Sequence, residues 1–416
     1  MLKTDYDVII VGGGPGGCAC AMSLADSDLS VCLIEKSSFP RDKICGDALS
    51  PDVLNQLSNL NGDLREAFLE KYDARKVDVT GVRIVSASGK VAELNINKGN
   101  PDIIGWVVKR IDFDNFLFEE TQKYQHVTIL QGEKVTDIEV EPGLVSVTTR
   151  SREITAAIII GADGAQSIVS KKLSGHKIDR DHYCGAVRAY YKNVQGFHAD
   201  GMIELHFYKR LLPGYFWVFP LPGNEANVGL GMLSSFISKR SINLKWQMLD
   251  VIANEPGLKE RFADAQLVDG LSGFGLPLGS KKRILSGERF MLIGDAASLI
   301  DPITGEGVGN AIRSARYAAD QIKLCFESED FRAETMKNYD TYLYSKIWGE
   351  MRFSRALQTG FRYPLFINFI VALASKSVRF RGFLNLAISD AGFWADGFNP
   401  RRWLRHWREA RGSRRS

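Results

Sequence analysis

Histidine is scarce, six in 416 residues, and the six cysteines (Cys18, Cys20, Cys32, Cys45, Cys184 and Cys325) form no CxxC pair and no histidine-rich neighbourhood. Zinc-type ligand spacing is therefore absent, which predicts free thiols, no metal and a reducing, cytoplasmic setting. No signal-peptide pattern precedes the first strand. The most apolar uncharged stretch, Tyr363 to Ser375, has 13 residues and contains Asn368. A bilayer span needs about 20, so this stretch reads as a core or interfacial helix. There is no internal repeat, and the body carries no basic excess. Residues Asn399 to Ser416 hold seven arginines and one glutamate, a local +6 within a total of +4, so the remainder sums to −2. Charge confined to a tail excludes a nucleic-acid enzyme.

What is present is ordinary globular composition, 45% hydrophobic and 25% charged. The length exceeds one typical domain and predicts two interlocked ones. Strand-like and helix-like segments alternate, which argues an α/β (α+β) fold. Asp5 to Val11 reads as a buried strand, Pro15 to Ala25 as a helix and Ser30 to Glu35 as a second strand. A hairpin turn is expected at Ser88-Gly89-Lys90, then a helix with the apolar stripe Phe113, Phe116, Leu117. Tyr183 to Phe274 is strand-rich and aromatic, as a sheet covering a pocket would be. A strand from Arg289 to Gly294 and a long helix from near Gly305 follow, and from Phe331 the chain is mostly helical.

Three glycine- and acid-bearing segments carry the chemistry. Gly12, Gly14 and Gly17 fit G-x-G-x-x-G within Gly12-Gly13-Gly14-Pro15-Gly16-Gly17. Such glycines turn tightly out of a strand, admit a pyrophosphate to the backbone and let the helix pack on the sheet, its N–H groups aimed at phosphate. Glu35 ends the second strand, where a carboxylate accepts from a ribose hydroxyl and repels a 2′-phosphate, so the nucleotide is FAD or NAD rather than NADP. Lys36 and Arg41 follow it, and Arg41 and Lys43 are candidates to neutralise a pyrophosphate, or else a solvated charge pair. The second segment is Gly294-Asp295-Ala296-Ala297 with Asp301-Pro302-Ile303-Thr304-Gly305-Glu306-Gly307-Val308. Asp295 is placed to accept from ribityl hydroxyls, and the helix opened by the turn would face the edge of a flavin that becomes anionic on reduction. The third, Gly161-Ala162-Asp163-Gly164, lies between them in the order found in flavoprotein hydroxylases.

Together these segments resemble the p-hydroxybenzoate-hydroxylase-type flavoproteins. Lys43-Ile44-Cys45-Gly46-Asp47-Ala48-Leu49-Ser50-Pro51, Pro213-Gly214-Tyr215-Phe216-Trp217-Val218-Phe219-Pro220 and Gly294 to Gly309 are similar to the geranylgeranyl reductase family in particular. The resemblance spans about residues 5 to 325. It implies FAD held by Pro15, Gly16, Glu35, Cys45, Gly46, Ala48, Arg110, Val135, Asp295, Gly307 and Val308, with Asp163, Pro302 and Gly305 in the same motifs. It implies reduction of isolated double bonds of prenyl chains, with NAD(P)H or a ferredoxin-like donor as transient reductant. The Cys45 segment is then expected over the flavin and the Tyr215–Trp217 strand along the prenyl pocket. The implied architecture is a discontinuous, Rossmann-like FAD-binding domain (1–75, 105–180, 280–330). An antiparallel-sheet substrate domain (76–104 and 181–279) is inserted in it, and a helical region with a basic tail (331–416) follows. Where many members carry a lysine after Phe-Pro, Leu221 and Pro222 stand here, removing a cation that would hold an anionic head group. Ser298 likewise stands for a common glycine.

An unactivated alkene needs a proton on one carbon as hydride reaches the other, so Cys45 and Tyr215 are proton-donor candidates, and Tyr215, Phe216, Trp217 and Phe219 candidate walls. The bland readings are a buried thiol and a core strand. Gly229-Leu230-Gly231 lacks a third glycine and is no second dinucleotide loop. The alternative is a flavin monooxygenase acting on a hydrophobic or aromatic substrate; a halogenase is disfavoured because Tyr215 and Phe219 replace the Trp and Ile of W-x-W-x-I-P. A flavin-binding sensor or scaffold is a third. Trp403 and Trp407 amid the tail arginines share a helical face, which with Tyr363–Ser375 suggests peripheral contact with the inner face of a membrane, against the bland reading of a disordered solubilising tail.

Overall fold

The computed structural model describes residues 2–95 and 105–389, so the Trp403/Trp407 segment lies outside the described residues. In chain order the elements begin β1 (Tyr6–Val11), α1 (Pro15–Ser23), β2 (Val31–Glu35), β3 (Ala48–Leu49), α2 (Pro51–Leu60), α3 (Leu64–Tyr72), β4 (Lys76–Val79), β5 (Gly81–Val85) and β6 (Val91–Asn95). Then come β7 (Gly105–Val108), α4 (Arg110–Thr121), β8 (Val127–Gln131), β9 (Val135–Glu141), β10 (Leu144–Thr149), β11 (Glu153–Gly161), β12 (Tyr183–Lys192), β13 (Ile203–His206), β14 (Tyr215–Leu221) and β15 (Glu225–Leu233). The remainder is α5 (Ser234–Arg240), α6 (Leu244–Asn254), α7 (Leu258–Arg261), β16 (Gln266–Leu267), β17 (Ser272–Pro277), β18 (Ser286–Gly287), β19 (Phe290–Leu292), α8 (Val308–Ser328), α9 (Ala333–Gly360), α10 (Pro364–Lys376) and α11 (Val378–Ser389).

The α/β class is as expected. The first sheet runs β18-β19-β11-β1-β2-β8, with β19, β11, β1, β2 and β8 parallel and the β9–β10 hairpin on β11. The apolar runs of β1 and β2 are buried on both faces, which is what a parallel sheet covered by helices requires. One cover is α1, whose eight residues Pro15 to Met22 are all buried and mostly small, so it packs closely against α8 with no polar face. On another side Phe68 stacks on Trp106 at 5.0 Å and meets Phe116 edge-on at 5.2 Å. Each such pair adds about 0.5–1.5 kcal/mol beyond burial.

The second sheet runs β16-β12-β15-β14-β13-β5-β6, with β17 on β12. It is not wholly antiparallel: β13 pairs β5 in parallel, Ile203 opposite Val82. That pairing joins two strands distant in sequence, and no local pattern announces it. A three-stranded sheet, β3-β7-β4, bridges the two. The strands of the first sheet come from residues 6–35, 127–161 and 286–292, and those of the second from 81–95 and 183–277. The hairpin turn falls where expected, with Gly89 at φ 76° and Ser86 N–H donating to the Lys90 carbonyl at 2.8 Å. Among the described residues no helix is long and apolar enough to cross a membrane.

Candidate cofactor and substrate site

The glycine-rich loop joins the carboxyl end of β1 to α1. Gly12 sits at φ +108°, and a Cβ there would lie 2.4 Å from the Ala162 carbonyl oxygen, so β11 runs against the turn. At Gly17 a Cβ would meet the Gly12 carbonyl oxygen at 1.8 Å, so only glycine lets the first turn of α1 touch the strand end. The Gly13 N–H donates to Glu35 Oε2 at 2.8 Å and the Ser37 N–H to Oε1 at 2.9 Å, fixing the buried carboxylate at the end of β2. Glu133 N–H donates to the Glu35 carbonyl, which carries the start of β9, and Val135 with it, to the same end; Lys36 is exposed beside it.

Arg41 is not a free cation. It donates to Asp114 at 2.8 Å, and Asp114 also takes a two-pronged contact from buried Arg110, at 2.6 and 3.0 Å. Burial alone would raise the Asp114 pKa, but Arg110 and then Arg41 carry it below the usual range. Gly14 lies below the Arg41 guanidinium. Lys43 reaches Asp295 at 3.5 Å. Asp163 caps its own turn through Ile168 N–H at 2.6 Å, while its buried Oδ1 has no partner.

The Asp295 loop reaches the same edge from β19. Gly294 and Gly305 adopt φ 56° and 74°, as does Ser298 at 58°, so the serine that replaces a common glycine keeps the left-handed conformation. Gly307 caps α8, and a Cβ on it would lie 3.1 Å from Asp295 Oδ1; buried Val308 opens the helix and buried Pro302 offers its carbonyl to Gln358. These residues suit FAD on the structure's own terms. Open glycine backbone, a fixed Glu35, a cation above Gly14, an orphaned carboxylate oxygen and a helix start line the carboxyl edge of the parallel sheet, where dinucleotides bind.

The Cys45 segment and β14 close over that edge. A Cβ on Gly46 would touch Phe219 at 3.1 Å and approach the Trp217 indole nitrogen at 3.7 Å. Tyr215, Trp217 and Phe219 alternate on one face of β14, with ring centroids 6.3 and 6.1 Å apart, next to Val79, Val107 and Leu221. Phe216, expected among the walls, points the other way into the core formed with Val218 and Leu230, because successive strand residues face opposite sides. Tyr215 donates its hydroxyl to the Thr304 carbonyl at 2.5 Å, tying β14 to the glycine-rich turn; burial raises its pKa. Gly229 stands opposite Trp217, where any Cβ would fall 2.1 Å from the indole, so the Gly229-Leu230-Gly231 run makes room for a ring and holds no nucleotide.

Asp47, Asn227 and Tyr190 escaped the sequence reading. Fully buried Asp47 sits at φ 66° between Gly46 and Ala48 and accepts from Tyr190 OH at 2.6 Å, Asn227 Nδ2 at 2.7 Å and Arg110 N–H at 3.2 Å. Asn227 also donates to the Cys45 carbonyl at 2.8 Å and accepts from the Trp217 indole at 2.9 Å. One carboxylate thus fixes the Cys45 loop, the aromatic face and α4. Burial raises Asp47 to about 6 despite these donors. Asn227 was detectable as a lone amide in the apolar run of β15.

A second cluster lies behind the Gly305 turn. Glu306 accepts from Ser50 Oγ, and burial lifts its carboxyl to about 7, the charges of Asp52 and Asp301 adding to the rise while Arg313 opposes it. A folded pKa above the unfolded value near 4.5 means this group's contribution is complete below that pH and is lost as pH rises through 7. Glu306→Gln therefore loses less stability than the parent between about pH 5 and about pH 9, by at most about 3 kcal/mol, the residue being only half-buried. Thermal unfolding of both proteins at the two pH values measures it; parallel curves would refute the assignment.

The FAD binding domain family matches residues 5–341. Digeranylgeranylglycerophospholipid reductase of Thermoplasma volcanium is 31% identical over 343 residues, 80% of this chain and 82% of that protein. Menaquinone reductase of Mycobacterium tuberculosis is 31% identical over 332 residues, 76% of each. The crystal structure of a geranylgeranyl bacteriochlorophyll reductase-like protein from Thermoplasma acidophilum superposes with a TM-score of 0.77 at 27% identity, covering 92% of this chain and 96% of that one.

Proposed function

Because the chain belongs to the geranylgeranyl reductase family of FAD-dependent oxidoreductases, we propose that it saturates carbon–carbon double bonds of a prenyl chain on a lipid or quinone. The observation that carries this is the convergence of the Tyr215–Trp217–Phe219 face, the Cys45–Gly46 loop and the Gly305 turn on one edge of the cofactor sheet. An aromatic wall without charged side chains suits an alkene and excludes the water that would compete for a hydride.

FAD, once reduced, supplies the hydride. The protein's part is to hold the alkene flat against the ring and to place a proton on the other carbon. Cys45 is the proposed donor: its loop abuts the aromatic face and is held there by Asn227, which donates to the Cys45 carbonyl. Tyr215 directs its proton to Thr304, and Trp217 is clamped by Asn227, so both position the wall. The reductant is NAD(P)H or a ferredoxin-like donor that binds transiently, since the Gly229 run is occupied by Trp217. Leu221 and Pro222 give β14 no cation of its own, and Lys109 and Lys192 at its end are paired with Glu225, which favours an uncharged head group such as a quinone or alcohol.

The test is anaerobic. Photoreduced enzyme mixed with a prenyl alcohol regains the oxidised flavin spectrum without oxygen and yields the saturated chain, and Cys45→Ala does so at least about 100-fold more slowly with its spectrum intact. Reoxidation by oxygen alone would favour a monooxygenase.

A further inference from the structure

We propose that α10 docks the enzyme on an anionic lipid bilayer and delivers substrate from that surface to the aromatic face of β14. The helix has two apolar faces. Ile367, Val371 and Ala374 are buried with Phe207, Leu212 and Phe361, in a cluster that Tyr215 and Ile303 border. The opposite face leaves Leu365 83% and Phe369 62% exposed, flanked by Tyr363 at 67% and Val378 at 55%. One helix thickness, about 10 Å, therefore separates the Tyr215 ring from whatever covers Leu365.

Charge selects the occupant. From Met351 to Ser389 the sequence has no aspartate or glutamate and six cations: Arg352, Arg355, Arg362, Lys376, Arg379 and Arg381. A second copy of the same face would bring these like charges together, whereas anionic head groups neutralise them while Leu365 and Phe369 enter the acyl boundary. The helix is tied to the β5–β6 turn through its first half and to α11 at its carboxyl end. Ser88 N–H donates to Asn368 Oδ1 at 3.0 Å, and Arg381 closes the carboxyl end through the Ala374 and Ser375 carbonyls at 2.9 and 2.8 Å. The 13 residues of α10 suit a helix lying in the interface and are too few to cross it.

Delivery of substrate rests on the prenyl-reductase reading; docking does not. The full FAD-loaded chain is floated with vesicles of phosphatidylglycerol and phosphatidylcholine in equal parts, or of phosphatidylcholine alone. It floats with the anionic vesicles and at least about 10-fold less with the neutral ones. Leu365→Ser/Phe369→Ser, checked for an unchanged flavin spectrum, floats at least about 100-fold less. Its turnover of a prenyl lipid in those vesicles falls in step, while turnover of the same lipid in detergent micelles is unchanged. Equal flotation of parent and variant overturns the proposal, as does equal flotation with both vesicles. So does a concentration-dependent dimer that the double substitution abolishes. Flotation without any prenyl reduction leaves docking standing and removes the substrate reading instead.

Discussion

Gly17→Ala yields a colourless protein. The added methyl would stand 1.8 Å from the Gly12 carbonyl oxygen, and backbone lies on both sides of the overlap. Relief requires α1 to lift from the end of β1, yet α1 is buried along its length and packs on α8. A cost above about 4 kcal/mol is expected, a large share of the stability of a typical domain. The N–H groups that face the pyrophosphate move with the helix, so FAD affinity falls even in molecules that remain folded. Absorbance near the flavin bands after purification with excess FAD reads the outcome. A yellow variant with parental affinity would mean that the loop does not hold the cofactor. Gly62→Ala is the control: no atom lies within 4 Å of a Cβ there, and the variant stays yellow.

The next largest effect is at Asp47. Asp47→Ala leaves the Tyr190 hydroxyl, the Asn227 amide and the Arg110 N–H without their acceptor in a buried place. Each stranded donor costs about 1–3 kcal/mol, though neighbours relax and the sum is not additive. A loss of about 3 kcal/mol and a clearly lower Tm are expected. Asn227 orients both the Cys45 carbonyl and the Trp217 ring, so the same variant loses prenyl turnover by at least about 100-fold while α1 and its glycine loop remain in place. Asp47→Asn keeps the volume and one acceptor and restores part of both losses. Intact turnover in Asp47→Ala would show that the Cys45 loop is held by something else.

These two residues mark what the sequence could and could not disclose. The Gly17 loop, Glu35 and the Asp295 turn are local: spacing along a few residues encodes strand, turn and helix start, and pattern reading finds them. The α/β class followed from the same local periodicity. The Asp47 hub joins residues 143 and 180 positions apart, and no spacing rule reaches that far. The same distance hid Asp114, which takes Arg41 from 73 residues away and holds the guanidinium above Gly14. Phe216 was misplaced because an aromatic run conceals which side of a strand each ring takes, and only the pairing with Gly229 and Gly231 fixes the side that holds Trp217. Glu306 was visible in the motif, but its raised pKa depends on Ser50, Asp52 and Asp301, brought together by folding.

The most direct test of a flavin-borne hydride reaching an alkene is the mass of the product. Photoreduced enzyme and a prenylated quinone are mixed in deuterated buffer without oxygen, and the mass of the extracted lipid is compared with that of its starting material. A reductase adds two hydrogens across one double bond per reduced flavin, at least one of them buffer deuterium delivered as the proton, and no oxygen. Recovery of unchanged quinone under those conditions, with an oxygenated product formed only in air, would contradict it.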